Sequence, residues 1–133
     1  MRVAIFAETF LPKWDGVANT VCHLLDHLAA RGHESLMIAP EGAPPSYADT
    51  PILGRPCFAL PMYPALRLVT PRPGIGAEIL DFKPDIVHLV NPALLGISGL
   101  HRAREAGVPV VASYHTDLPG YLEQYNLTAF RAF

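Results

Sequence analysis

The 133-residue sequence has little of what defines several large classes of protein. Its two cysteines, Cys22 and Cys57, have no metal-binding or redox spacing, so we expect two buried thiols in a reducing compartment. No signal peptide is recognisable, and no apolar run approaches the roughly 20 residues that a membrane-spanning helix needs. The formal net charge of -2 gives no electrostatic basis for binding nucleic acid. These absences favour a cytoplasmic protein.

The familiar phosphate-binding and metal-binding motifs are also missing. There is no P-loop, and the "GIG" at 74–76 lacks the third glycine of a dinucleotide fingerprint, because Ile79 occupies that position. The absence of that fingerprint after the first predicted strand disfavours a dehydrogenase. The six histidines are scattered and no pair has the spacing of a metal site, so we predict no metal ion.

The sequence does contain a regular alternation of apolar runs and amphipathic segments. Strands are predicted at 2–7, 34–39, 85–90 and 108–116. One helix is predicted to begin at Val17 and to stop at Gly32, and a second covers 74–82 and stops at Lys83. A third has Asn91 as its N-cap, Pro92 in its first turn and Gly107 as its stop. A fourth begins at 121–125. This alternation predicts an α/β fold with a Rossmann-like, doubly wound parallel sheet.

One region departs from this regularity. Nine of the fourteen prolines lie between Pro40 and Pro73, interleaved with short apolar runs. Proline removes a backbone donor and disfavours both helix interiors and central strands. We therefore expect an irregular excursion with one or two short strands and no regular helix.

In a parallel sheet, ligands bind beyond the carboxyl ends of the strands. Three segments should share that rim: 8–16 after the first strand, 91–92, and 114–117. Gly16 opens a helix there, so its backbone could approach a phosphate, or it could be a plain turn glycine beside an Asp N-cap. His115 could bond a substrate hydroxyl or only a neighbouring loop. His88 lies within its strand and is better interpreted as a hydrogen-bonded core histidine.

Four other residues are weaker candidates on local evidence. Asn91 would cap a helix in any protein. Tyr63 and Arg67 lie in the proline-rich excursion, where an arginine could bind an anion or simply be solvated. Trp14 could stack on a sugar or pack as a lid over its own loop.

Three long segments in register resemble glycosyltransferases of the GT-B fold and the retaining family 4 (group 1) type. They are "MRVAIFAETFLPKWDGVANTVCHLLDHLAARGHESLMIAPEG", "FKPDIVHLVNPALLG" and "VPVVASYHTDLPGY". The resemblance covers nearly the whole chain and is closest to enzymes that glycosylate lipid acceptors. It implies a metal-independent transferase that moves a sugar from a nucleotide-sugar to an acceptor hydroxyl, with no cofactor.

The resemblance also implies roles for individual residues. His115 matches the histidine near the transferred sugar and is the expected catalytic residue. Gly16 and Asp15 match the family's donor-diphosphate position, although Asp15 replaces the commoner first glycine. The expected acceptor-binding residues are Trp14, Asn91, Tyr63 and Arg67.

GT-B enzymes have two Rossmann-like domains, and the second one holds most of the nucleotide-sugar. By resemblance, residues 1–133 correspond to part of the N-terminal, acceptor-side domain, without its last strand or strands and without the donor-binding domain. We therefore expect the isolated chain to be inactive and, because apolar surface is left uncovered, to self-associate. The resemblance to lipid-acceptor enzymes is compatible with peripheral contact with the inner face of the membrane.

An alternative from a different functional class stays open at this point. The chain could be a stand-alone Rossmann-like binding module for a phosphorylated ligand or for a separately encoded donor domain. Nucleotide binding by this chain alone favours the module. Activity that appears only with a C-terminal partner favours the transferase.

Overall fold

A computed structural model describes residues 1–61, 63–70, 72–91 and 93–115, with residues 60 and 63–66 described by their backbone only. The helices are α1 (Gly16–Ala30), α2 (Glu78–Phe82) and α3 (Leu94–Ala106). The strands are β1 (Arg2–Ala7), β2 (Glu34–Pro40), β3 (Ser46–Tyr47), β4 (Thr50–Arg55), β5 (Cys57–Leu60), β6 (Tyr63–Val69), β7 (Ile86–Val90) and β8 (Val110–Ser113).

A six-stranded sheet with the order β3-β4-β2-β1-β7-β8 forms the centre of the fold. The pairings β4–β2, β2–β1, β1–β7 and β7–β8 are all parallel, and β3 pairs with β4 in the antiparallel sense. One face of the sheet forms a core with α1, and the other forms a core with α2 and α3. The predicted Rossmann-like, doubly wound α/β fold is confirmed.

The alternation of side chains along β1 builds both cores. Val3 and Ile5 belong to the α1 core, and Ala4 and Phe6 belong to the opposite core. A strand covered on both faces needs apolar residues at every position, as the run "VAIFA" provides. The ring of Phe6 lies so close to α3 that a Cβ at Gly99 would come within 2.8 Å of it.

Helix α1 begins and ends much as the sequence predicts. Asp15 is the N-cap, and its carboxylate accepts a hydrogen bond of 2.8 Å from the amide of Ala18. The helix ends at Ala30, and Gly32 follows with a φ of 74°, in the left-handed region that glycine enters without strain. Residues 8–15 join the carboxyl end of β1 to the amino end of this helix.

The proline-rich excursion contains more structure than the sequence analysis expected. Four strands, β3 to β6, lie in it, and β4 extends the central sheet parallel to β2. The prolines are tolerated because of where they stand: Pro51 precedes the first β2–β4 pair, which begins at Ile52, and Pro56 separates β4 from β5. Strands β5 and β6 form a separate antiparallel ribbon.

The predicted start of α3 was wrong. The helix begins at Leu94, with Ala93 as N-cap and no side-chain capping bond, so Asn91 is not its cap. Its end at Gly107, which has a φ of 68°, agrees with the prediction. The predicted position of Pro92 and the helix expected at 121–125 lie outside the described residues.

The structure also bears on the cysteines and on membrane insertion. Cys22 is buried as expected, whereas Cys57 is only half-buried. Among the residues described, no helix is long and apolar enough to cross a membrane.

Candidate functional site

The carboxyl ends of β1, β7 and β8 form the candidate site. Ala7 pairs with Val90, and Val90 pairs with Ser113, so these three strands end in one row. The chain leaves the sheet immediately after this row, at residues 8, 91 and 114. With adjacent strands about 4.8 Å apart, the three exits span roughly 10 Å. We call this row and the residues that follow it the rim.

Glu8 is the first residue beyond β1, and it is buried rather than directed into solvent. It is 3% exposed. One carboxylate oxygen accepts from the amide of Leu95 at 2.8 Å, and the other accepts from the amide of Val69 at 3.3 Å. Burial raises the pKa of Glu8 to about 7, although the two backbone bonds favour the charged form. Glu8 therefore ties the first turn of α3 and the end of β6 to β1.

Asn91, the first residue beyond β7, fixes the path of the chain after β8. Its φ of 50° lies in the left-handed region, which asparagine tolerates better than most residues. Its amide donates to the carbonyl of Ser113 at 2.9 Å, and its side-chain oxygen accepts from the amide of His115 at 2.7 Å. Asn91 thereby holds the backbone of His115 at the rim.

The side chain of His115 belongs to a short row of polar groups. Its Nε2 lies 2.9 Å from the hydroxyl of Ser113, and that hydroxyl lies 2.8 Å from Nε2 of His88. His115 is exposed, whereas His88 is half-buried. Burial, and secondly the charge of His115, lower the pKa of His88. The prediction that His88 is a hydrogen-bonded histidine within its strand is confirmed.

The amino end of α1 follows the end of β1 after the segment 8–15. Among the residues that the structure describes, a Cβ added at Gly16 would meet no atom within 4 Å, and the φ of Gly16 is not positive. Neither packing nor backbone conformation therefore requires glycine at this position. The Asp15 carboxylate caps the helix and lies 3.4 Å from the Lys13 ammonium.

A cleft lies between the loop that follows β1 and residues at the end of β2 and in β6. Its lining residues are Glu8, Thr9, Phe10, Leu11, Pro12, Lys13, Pro40, Glu41 and Arg67. Arg67 is exposed at this cleft, and Trp14 projects from the same loop with 66% of its surface exposed. The cleft combines two cationic and two acidic side chains with apolar walls.

The structure brings some of the predicted site residues together. Asn91 and His115 are in contact, and Arg67 lines a cleft with the segment that leads to Trp14. Tyr63 lies in β6, and its side chain is among those not described. Within the described part of the chain, no group of three or more His, Cys, Asp or Glu side chains could hold a metal ion.

Residues 14–133 match the profile of the family described as Glycosyltransferase Family 4. The chain belongs to glycosyltransferase family 4. It therefore corresponds to the N-terminal region of the GT-B fold, which agrees with the Rossmann-like sheet and the rim described above.

Three curated relatives illustrate the range of this family-4 similarity. The chain is 45% identical over 133 residues to a GDP-mannose-dependent alpha-mannosyltransferase of Mycolicibacterium smegmatis, covering 96% of this chain and 36% of that protein. The corresponding enzyme of Mycobacterium tuberculosis is 42% identical, with 96% and 35% covered. The sulfoquinovosyl transferase SQD2 of Arabidopsis thaliana is 31% identical, with 96% and 26% covered. The chain thus spans about a third of the length of the relatives it matches.

The sequence analysis missed two residues that shape the rim. The sequence placed Glu8 only within the segment 8–16, and Ser113 only within the strand predicted at 108–116. For Glu8 the available signal was an acidic residue immediately after a fully apolar parallel strand, where a carboxylate needs partners. For Ser113 it was the spacing of two from His115, which places both side chains on one face of an extended chain.

Proposed function

We propose that this chain is the acceptor-side part of a retaining glycosyltransferase that transfers a sugar from a nucleotide-sugar to an acceptor hydroxyl without a metal ion. Membership of family 4 supports the reaction class. The observation that carries the assignment to this rim concerns Gly16: in the described part of the chain, neither packing nor backbone conformation requires a glycine at the amino end of α1.

In this proposal, α1 and the backbone of Gly16 face the donor diphosphate. The amino end of a helix carries unpaired N–H groups and a partial positive charge, which favour an anion. Without a Cβ, the phosphate can approach the backbone closely. Asp15 contributes to this donor-phosphate site as the cap that holds the first turn of α1, since its carboxylate is engaged with Ala18.

His115 is the proposed catalytic residue beside the transferred sugar. Its ring can hydrogen-bond a sugar hydroxyl and so support the transition state. Most of the rate enhancement then comes from stabilising the diphosphate leaving group and from placing the acceptor hydroxyl on the same face of the sugar. Trp14, Asn91, Tyr63 and Arg67 are the proposed acceptor-binding residues.

The names of the relatives suggest which substrates to test first. Three relatives are called GDP-mannose-dependent alpha-mannosyltransferases, and two are called alpha-monoglucosyldiacylglycerol synthases. We propose GDP-mannose as the first donor and a diacylglycerol-based lipid as the first acceptor. A cytoplasmic protein with peripheral membrane contact fits this pair of substrates.

The test measures sugar transfer by the complete gene product with a panel of nucleotide-sugars, using either a lipid extract or a water-soluble acceptor. His115→Gln should lower kcat by about 100-fold, as expected when a group beside the transition-state charge is lost. The matched control is His101→Gln, the same change at an exposed helix position. A wild-type protein that binds nucleotide but transfers no sugar to any acceptor supports the binding module instead.

Gly16→Ala supplies a second, independent variant for the donor site. Because the added methyl group lies more than 4 Å from every atom of the described neighbours, the fold should be unchanged. A displacement of the diphosphate by about 1 Å should lower kcat/KM for the donor by about 100-fold. An unaltered kcat/KM contradicts the placement of the donor phosphate at Gly16.

A further inference from the structure

Three polar side chains follow one face of the sheet to the rim. Ser113 pairs in register with Val90, and His88 lies two residues before Val90, so His88 and Ser113 are diagonal neighbours on the same face. His115 lies two residues beyond Ser113. The register therefore explains why one hydroxyl is within hydrogen-bonding distance of both imidazoles, at 2.8 Å and 2.9 Å.

The Ser113 hydroxyl has a single proton, and this limits which nitrogens of the two imidazole rings can carry a proton. A serine hydroxyl has one proton to donate and two lone pairs that accept. If neither Nε2 carried a proton, the hydroxyl could donate to only one ring, and the other nitrogen would face an oxygen lone pair at less than 3 Å. At least one Nε2 must therefore donate to Ser113, so the tautomer of one ring constrains the tautomer of the other.

We propose that Ser113 and His88 are positioning residues for His115, and that the shared hydroxyl fixes the tautomer and the orientation of its imidazole. The inference rests on the proposed function, in which His115 lies beside the transferred sugar. Neither Ser113 nor His88 touches the substrate in this account. They act through His115 alone.

The surrounding contacts show why such support is needed. His115 is exposed, and an exposed side chain at the end of a strand has several accessible rotamers. The Asn91 side chain holds the backbone of His115, and Ser113 holds one edge of its ring. With Nε2 engaged by Ser113, the ring presents Nδ1 to a substrate hydroxyl.

His88 is suited to the inner end of this arrangement because it is neutral near pH 7. Burial lowers its pKa, and the charge of His115 lowers it further. A neutral imidazole can either donate to the hydroxyl or accept from it. When Nε2 of His115 donates to Ser113, the Ser113 hydroxyl can donate to His88.

The test measures imidazole ¹⁵N chemical shifts in the complete gene product labelled with ¹⁵N-histidine, since these shifts report tautomers directly. Ser113→Ala removes the shared hydroxyl, and Ser113→Thr retains it. His88→Phe keeps a ring but removes both nitrogens, and Ser46→Ala is the matched control at an exposed serine. The signals of the exposed His101 provide an internal reference for a ring that lacks this arrangement.

The expected result is a wild-type His115 with one dominant tautomer. Ser113→Ala and His88→Phe should each change its nitrogen shifts, with Ser113→Ala moving them towards those of His101. Ser113→Thr and Ser46→Ala should match the wild type. If His115 has the same shifts in Ser113→Ala and His88→Phe as in the wild type, the proposal is overturned. Should Ser113→Ala fail to fold, the His88→Phe spectrum decides alone.

A kinetic measurement separates this inference from the proposed function. Ser113→Ala should lower kcat by about five- to tenfold, the value of one hydrogen bond, and Ser113→Thr should restore it. The KM for the donor should change by less than about twofold, since the bond acts on the orientation of His115 and not on donor binding. If the wild type transfers no sugar, the proposed function fails, whereas the ¹⁵N shifts still decide whether Ser113 and His88 position His115.

Discussion

Replacing Glu8 with glutamine should change the pH dependence of stability by an amount that follows from its burial. The pKa of Glu8 is raised from 4.5 to about 7, so the folded state binds more protons than the unfolded state between these values. Stability contributed by Glu8 is therefore fully present below pH 4.5 and is lost as the pH rises through 7. At 1.36 kcal/mol for each pKa unit, the loss amounts to about 3 kcal/mol.

Glu8→Gln removes this titration but also removes one acceptor. The NH2 group of the glutamine must face the backbone N–H of Leu95 or Val69 and cannot accept from it, whereas the hydroxyl oxygen of a protonated Glu8 still can, so the substitution costs about 1–3 kcal/mol at every pH. The variant should therefore be less stable than the wild type at pH 4.5. Above pH 7 it should be as stable as the wild type or more stable by up to about 2 kcal/mol, because the wild type then bears the cost of a buried charge.

Urea unfolding of the chain at a series of pH values from 4.5 to 8.5 measures this difference. Glu34→Gln is the matched control, since it makes the same chemical change at an exposed position, where the carboxylate lies 3.6 Å from the Arg2 guanidinium. The difference between Glu34→Gln and the wild type should stay within about 1 kcal/mol across the range. If the difference in unfolding free energy between Glu8→Gln and the wild type also stays constant across this pH range, the reasoning is refuted.

Three further predictions concern packing, capping and charge at the same end of the fold. Gly99→Ala should lower the free energy of unfolding by about 1–2 kcal/mol, because its Cβ would lie 2.5 Å from the Leu89 side chain. Gly16→Ala should change the free energy of unfolding by less than about 0.5 kcal/mol. Thermal unfolding checks both. Asp15→Ala should cost about 1 kcal/mol through loss of the α1 cap and Asp15→Ser should restore it; equal stability of the two variants contradicts the capping role. His115→Gln should raise the pKa of His88 in an NMR titration, since a nearby positive charge is removed; an unchanged or lower value contradicts this.

The regular parts of the fold could be predicted because their signals are local. Strand β1 is a continuous apolar run with buried neighbours on both faces, and its predicted limits match those observed. Asp15 and Gly107 mark helix ends by capping chemistry that acts within a few residues. These features depend little on the rest of the chain.

The errors concern contacts between residues far apart in the chain. Asn91 has the chemistry of an N-cap, but its side chain bonds the amide of His115, 24 residues away. The first turn of α3 is satisfied instead by Glu8, which lies 87 residues from Leu95. A local pattern cannot show which of two polar groups a folded chain brings to a helix terminus, because tertiary contacts decide between them.

The number of strands between Pro40 and Pro73 was underestimated for a related reason. A proline weakens a strand only where its missing N–H is needed for pairing. Pro51 stands at the beginning of β4, before the pairing with β2, so it does not interrupt the parallel ladder. The prolines therefore mark the ends of strands in this region rather than a lack of strands.

The most direct test of the proposed retaining transfer is the anomeric configuration of the product. The complete gene product is incubated with GDP-mannose and a lipid acceptor, and the anomeric proton of the new glycosidic bond is followed by NMR. The account predicts transfer with the configuration of the donor sugar, and about 100-fold slower transfer by His115→Gln than by His101→Gln. Transfer with the opposite configuration, or transfer that does not depend on His115, would contradict it.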